Sequence, residues 1–217
     1  MKGRIAIFLH QPYCSVQSGN GVMRALGDHY SFKIFTRHEL EADFFDNVDC
    51  VCFPGGLGDA SKFNFLTTEH KNRVRRFIRN GGAYLGICMG AYWAGSDYFN
   101  LLEDVDAEQY IVRPNTDTRR PHPKNIDVTW LGNSTKMYFY DGCSLVGNQS
   151  KFQTIARYAN GDPMAIIQNR IGLIGCHPES ESHWYNSPSW MRGKYHNGEH
   201  HTLLQNFVDK LILPNRL

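Results

Sequence analysis

Short apolar runs alternate along this chain with polar segments. Arg4 to Leu9, Phe32 to Phe35, Val48 to Phe53, Ala83 to Ile87 and Ile171 to Cys176 have strand length, and they read as buried strands. Between them the spacing predicts helices over Asn20 to Asp28, over His38 to Asp46 and over Thr68 to Asn80. In the last of these, Val74, Phe77 and Ile78 form an apolar stripe that Gly81-Gly82 terminates. The segment from His200 to Leu213 predicts a closing helix with Leu203, Leu204, Phe207, Leu211 and Ile212 inward. This order predicts an α/β fold, a mostly parallel central sheet with helices on both faces.

The middle of the chain departs from that rhythm. Ile126 to Trp130 and Lys136 to Tyr140 read as a hairpin joined through Gly132-Asn133. Phe152 to Tyr158 and Met164 to Gln168 continue the β-rich part, with a turn at Asn160-Gly161-Asp162-Pro163. Arg113 to Lys124 carries three prolines and no apolar period, so it reads as an exposed loop.

Composition narrows the function classes. A length of 217 residues with 41% apolar and 20% charged positions suits one compact domain, residues 1–217. A net charge of +2 gives no reason to expect nucleic acid or an anionic membrane as partner. The run Ile5 to Leu9 is too short for a signal peptide, and no stretch approaches a membrane span. The six cysteines include no Cys-x-x-Cys pair, so reduced thiols and a cytoplasmic location are expected, with Cys50 and Cys52 facing the core. The basic face of Lys71, Arg73, Arg75, Arg76 and Arg79 reads as solvated surface. His183, His196, His200 and His201 read as a polar surface with incidental histidines, so neither a metal nor a cofactor is expected.

Chemistry concentrates in three places. Gly86-Ile87-Cys88-Met89-Gly90 joins a buried strand to a helix and has the form of a nucleophile elbow. The glycines clear space around the bend, and the helix N-terminus favours negative charge on the Cys88 sulfur. His177-Pro178-Glu179 follows a buried strand. Extended residues two apart face the same way, so His177 and Glu179 form a base with its orienting carboxylate. Cys176 is expected to point away from His177. Pro54-Gly55-Gly56 follows another strand, where a glycine turn can bring N–H groups to a substrate carbonyl. His10 and Tyr13 lie beyond the first strand, at the edge where open α/β sheets bind ligands. The run from Tyr185 to Tyr195 follows Glu179 and reads either as a substrate loop or as a plain connection.

In this order the three pieces resemble the class I glutamine amidotransferase-like superfamily, whose fold is flavodoxin-like. Within it, the chain is most similar to the domain at the N-terminus of eukaryotic biotin-protein ligases, also found in free-standing bacterial and phage proteins. The shared features are Gly86 to Tyr92 with the pair Tyr92-Trp93, Tyr140-Asp141-Gly142, Ala156-Arg157-Tyr158 and Gly175-Cys176-His177-Pro178-Glu179. The resemblance implies a triad of Cys88, His177 and Glu179 acting on a small amide-bearing substrate. It implies an oxyanion site or pocket from Gly55, Gly56, Leu57, Met89 and Tyr92, and a synthetase partner or a homo-oligomer. Glutamine amidotransferases commonly carry His-Gln after the elbow, where this chain has Ala91-Tyr92, so glutamine is only one candidate substrate. No Gly-Arg-Gly biotinyl-adenylate motif is present, and ligase activity is not expected. Two other readings share the scaffold: a non-catalytic small-molecule-binding or regulatory domain, and a redox thiol protein.

Overall fold

The structure is a computed structural model that describes residues 2–10, 15–39, 44–56 and 64–213. Its strands are β1 (Gly3–Phe8), β2 (Tyr30–Phe35), β3 (Cys50–Phe53), β4 (Ala83–Ile87), β5 (Val105–Gln109) and β6 (Lys124–Trp130). They continue with β7 (Asn133–Phe139), β8 (Cys143–Gly147), β9 (Gln153–Tyr158), β10 (Pro163–Gln168) and β11 (Ile171–Ile174). The helices are α1 (Val16–Leu26), α2 (Asn64–Arg79), α3 (Met89–Trp93) and α4 (Glu199–Ile212).

Nine strands form one mixed sheet in the order β2-β1-β3-β4-β11-β10-β9-β6-β7. The run from β2 to β11 is parallel, and β10, β9, β6 and β7 continue it antiparallel. Period-two alternation divides the core. Ile5, Ile7, Cys50, Cys52, Leu85 and Ile87 pack with Val22 and Leu26 of α1 and with Leu204, Phe207 and Leu211 of α4. Ala6, Phe8, Val51, Phe53 and Tyr84 face the other way, against Val74 of α2 and Trp93 of α3. Each large apolar side chain so buried contributes on the order of 2 kcal/mol. Phe53 sits within ring contact of Phe8, Trp93 and Phe99, so the strand leading to the glycine turn is held by aromatic packing.

Strands β2 and β3 pair with opposite edges of β1. The connections after β1 and β3 therefore diverge and open a crevice at the C-terminal ends of the strands. The site described below lies there.

Several boundaries and one sheet differ from the sequence reading. Helix α1 starts at Val16, one turn before the predicted Asn20, because Ser15 caps it by accepting from the Ser18 N–H at 3.2 Å. Of the helix expected over His38 to Asp46, the described parts are a 3-10 turn at Arg37–Glu39 and a turn at 44–47; residues 40–43 lie outside the described ones. The hairpin turn is Leu131-Gly132, not Gly132-Asn133: Trp130 faces Asn133, and both turn residues have positive φ (46° and 85°), as a type I′ turn requires. A separate antiparallel pair, β5 with β8, has no counterpart in the sequence reading; its residues carry too mixed a burial pattern to stand out as strands.

Candidate active site

Strand β4 delivers Cys88 at φ 50°, ψ −104°, a conformation costly for a residue with a Cβ. Packing enforces it. A Cβ on Gly90 would stand 1.8 Å from the Phe53 carbonyl, and one on Gly86 would stand 2.4 Å from the Gly90 carbonyl. Only glycine lets α3 come so close to β3 and β4. The Cys88 N–H continues the sheet by donating to Ile174 O at 2.8 Å, while its carbonyl accepts from the Ala91 and Tyr92 N–H groups. The Met89 N–H opens α3 and so has no acceptor within the helix. The Cys88 thiol, 7% exposed, donates to the Tyr140 carbonyl at 3.5 Å.

Beyond β11 the chain turns at Pro178, and the Ser180 N–H closes that turn on His177 O. His177 and Glu179 meet as the spacing predicts: Nδ1 donates to Glu179 Oε1 at 2.8 Å, and Glu179 is fully buried. The other ring nitrogen is left free of Glu179, and Cys88 lies near enough to the imidazole to act on its titration. Burial alone would lower the His177 pKa. The charges of Glu179 and Cys88 and the hydrogen bond to Glu179 outweigh it, and the imidazole is pushed up to about 10. Cys176, next in sequence, is fully buried in the core as alternation predicts.

Sequence reasoning missed Ser18. Its hydroxyl donates to Glu179 Oε1 at 2.6 Å and accepts from the Gly55 N–H at 2.8 Å. One buried hydroxyl therefore ties the glycine turn to the carboxylate that holds the His177 ring. Glycines again permit the approach: a Cβ on Gly21 would lie 2.3 Å from Glu179 O, and one on Gly55 would lie 2.7 Å from the His177 ring. With the Gly55 N–H held by Ser18, the expected oxyanion donors narrow on the described side to Gly56. Gly56 packs against the Met89 side chain, since a Cβ there would meet Met89 Sδ at 2.0 Å. Leu57 and Tyr13 lie outside the described residues.

The structure brings Gly55, Gly56 and His177 into one cavity of about 310 Å³, where Tyr138, Tyr140 and Trp184 form much of the remaining wall. Tyr92 is not among the lining residues; its hydroxyl donates to the Asp141 carbonyl at 3.2 Å. His10 packs with Phe8 and His38 instead of lining this cavity. The loop after Glu179 does reach the cavity, through Trp184 and Ser187. A cavity of about 580 Å³, lined by Asp49, Gly82 and Arg170, lies at the opposite ends of the strands and shares no triad residue.

The C-terminal histidines are not a plain polar surface. His196 and His200 are buried and stacked with ring centroids 4.1 Å apart. Both His196 and His201 place Nε2 on the Ser180 carbonyl, at 2.9 and 3.2 Å, which braces the turn bearing Glu179. They cluster because α4 begins beside that turn, a tertiary fact with no spacing signal. Among the described residues, no group of three or more His, Cys, Asp or Glu is placed to hold a metal.

Comparison with known proteins agrees with this fold. A glutamine amidotransferase from Thermotoga maritima superposes with a TM-score of 0.71 at 10% identity, over 98% of this chain and 99% of that one. The chain has a class I glutamine amidotransferase-like fold. A putative GMP synthase component from Thermoplasma acidophilum shares this fold with a TM-score of 0.58 and 14% identity, over 97% of this chain and 98% of that one. Residues 13–109 match the family model described as biotin-protein ligase, N terminal. A biotin–protein ligase of Schizosaccharomyces pombe is 29% identical over 161 residues, covering 59% of this chain and 25% of the ligase. The chain thus spans about a quarter of the length of the curated relatives it matches. Among the described residues, no helix is long and apolar enough to cross a membrane.

Proposed function

We propose that the protein is a cysteine-dependent enzyme that cleaves a small amide. The observation that carries this reading is the hydrogen-bond series from Gly55 through Ser18 and Glu179 to His177, with Cys88 on its glycine-flanked elbow beside the imidazole. The Cys88 sulfur attacks the amide carbon, and the N–H groups of Met89 and Gly56 hold the oxyanion. The carbon–nitrogen bond breaks, the nitrogen leaves with the proton carried by His177, and an acyl thioester remains on Cys88. Water gives a proton to His177 and attacks the thioester; the acid departs and the thiol is restored. Glu179 keeps the imidazole oriented throughout. Glutamine is one candidate substrate, with Ala91-Tyr92 in place of the usual His-Gln. Likeness to a synthase component supports a synthetase as partner, one that would take up released ammonia.

The match of residues 13–109 to the N-terminal part of biotin-protein ligases favours one other reading, a binding or regulatory domain that uses the same cavity without turnover. Ammonia or amine release from a panel of amides, beginning with glutamine, separates the two. The enzyme reading expects release that Cys88→Ala abolishes. Full turnover by Cys88→Ala contradicts the mechanism, and saturable binding with no release by the unaltered protein favours the second reading.

A further inference from the structure

The walls of the candidate active site carry information about its substrate that the triad does not. Tyr138, Trp184 and the His177 ring form a mutual edge-to-face set, with centroids 5.2 Å apart for Tyr138–Trp184, 5.5 Å for His177–Trp184 and 5.8 Å for Tyr138–His177. Tyr140 stands at the opening and is 47% exposed, although its own carbonyl accepts from the Cys88 thiol. The hydroxyl and amide groups of Ser15, Gln17 and Ser187 supply neutral polar contacts at the rim. Among the described residues that line the cavity there is no Lys, Arg, Asp or Glu, and its two histidines, His177 and His183, are each set against a carboxylate. Two carboxylates stand behind the wall: Glu179 holds His177 at 2.8 Å, and Glu181 is engaged by Arg24 at 2.7 Å and lies 3.4 Å from His183 Nδ1. A zwitterionic amino acid would have to leave water here against aromatic faces and two histidines already set against carboxylates, which costs free energy. A flat apolar group would instead gain ring contacts and remove exposed aromatic surface from water. The volume of about 310 Å³ accommodates a ring beside the scissile amide.

We infer that the substrate of this site is an amide bearing a flat, uncharged, largely apolar group next to the scissile bond, received by Tyr138, Tyr140 and Trp184. The inference rests on the reading of Cys88 as the nucleophile, and its test separates the two. Three chloroacetamides that differ only on nitrogen serve as probes: N-methyl, N-benzyl and the anionic N-carboxymethyl compound. In each, the Cys88 sulfur displaces chloride and forms one thioether, followed by peptide mass spectrometry and divided by the rate with glutathione. The normalised N-benzyl rate is expected to exceed both others by roughly tenfold, as aromatic contacts allow. Trp184→Ala is expected to bring the ratio of N-benzyl to N-methyl rates down to that of glutathione, and Trp184→Phe to retain most of it. Equal normalised rates, or a faster anionic probe, overturn the substrate class while Cys88 stays reactive. A Cys88 that reacts with all three no faster than glutathione overturns the catalytic reading and this inference together.

Discussion

Glu179 Oε1 receives two hydrogen bonds, one from His177 and one from Ser18, whose own oxygen is held by the glycine turn. Ser18→Ala removes both of the serine's bonds and leaves the buried Gly55 N–H without that partner. It is expected to lower stability by about 1–3 kcal/mol, measured by chemical denaturation. It should also slow alkylation of Cys88 without abolishing it, since His177 keeps Glu179. Glu179→Gln is expected to leave the fold intact and reduce amide turnover by roughly 10²-fold or more, because an amide can present a donor to Nδ1 and turn the ring to the wrong tautomer. A circular dichroism spectrum beside the kinetics separates loss of activity from loss of fold. Cys88, His177 and Glu179 were legible in the sequence because each lies in a local pattern, a glycine-flanked elbow or an i, i+2 pair at a strand end. Ser18 was not, since it stands 161 positions from its partner Glu179 and nothing local marks it.

At the scale of elements, the parallel strands were legible because burial on both faces leaves continuous apolar runs, whereas α1 was read one turn short. Its first turns contain Ser18, Gly19, Asn20 and Gly21, poor helix formers that packing overrides. Gly21 is there to admit the Glu179 backbone, so the same residues that hide the helix shape the site. The hairpin turn was displaced by one residue because Leu131 takes a positive φ that its side chain disfavours. The elbow gives the sharpest test at this scale. Gly90→Ala would drive a methyl group into the Phe53 backbone, where neither strand nor helix can yield. A loss of at least about 3 kcal/mol is expected, seen as a fall in the thermal midpoint. A variant with unchanged stability would mean that α3 does not pack on β3 as described.

Over the whole molecule, the histidines behind the turn that bears Glu179 make the fold sensitive to acid. Burial, with a smaller contribution from His201, pushes His196 down to about 4 even though the Ser180 carbonyl opposes the shift. Burial and the neighbouring His196 and His201 push His200 down to about 3. Both stay neutral in the fold while the unfolded chain protonates near the ordinary 6.5, so the unfolded state binds more protons in that interval. Their contribution to stability is therefore present above about pH 6.5 and lost as pH falls towards 4 and 3. His177 has the opposite sign: its contribution is complete below 6.5 and lost as pH rises towards about 10. Denaturation followed from pH 7 to pH 4 is expected to show this acid loss, with a shallower slope in His200→Phe, which keeps the stacked ring and removes the proton site. None of this was visible in the sequence, where four scattered histidines resembled surface residues until α4 was seen to dock on the turn after Glu179.

The central claim is that Cys88 is activated by His177, and the rate of Cys88 alkylation by iodoacetamide at pH 7 tests it most directly. That rate would be read by peptide mass spectrometry against glutathione, in the unaltered protein and in His177→Ala. An activated pair predicts labelling at least about tenfold faster than glutathione, and a fall of similar size in the variant. Labelling no faster than glutathione and indifferent to His177 would contradict the claim and leave a binding domain on an amidotransferase-like scaffold.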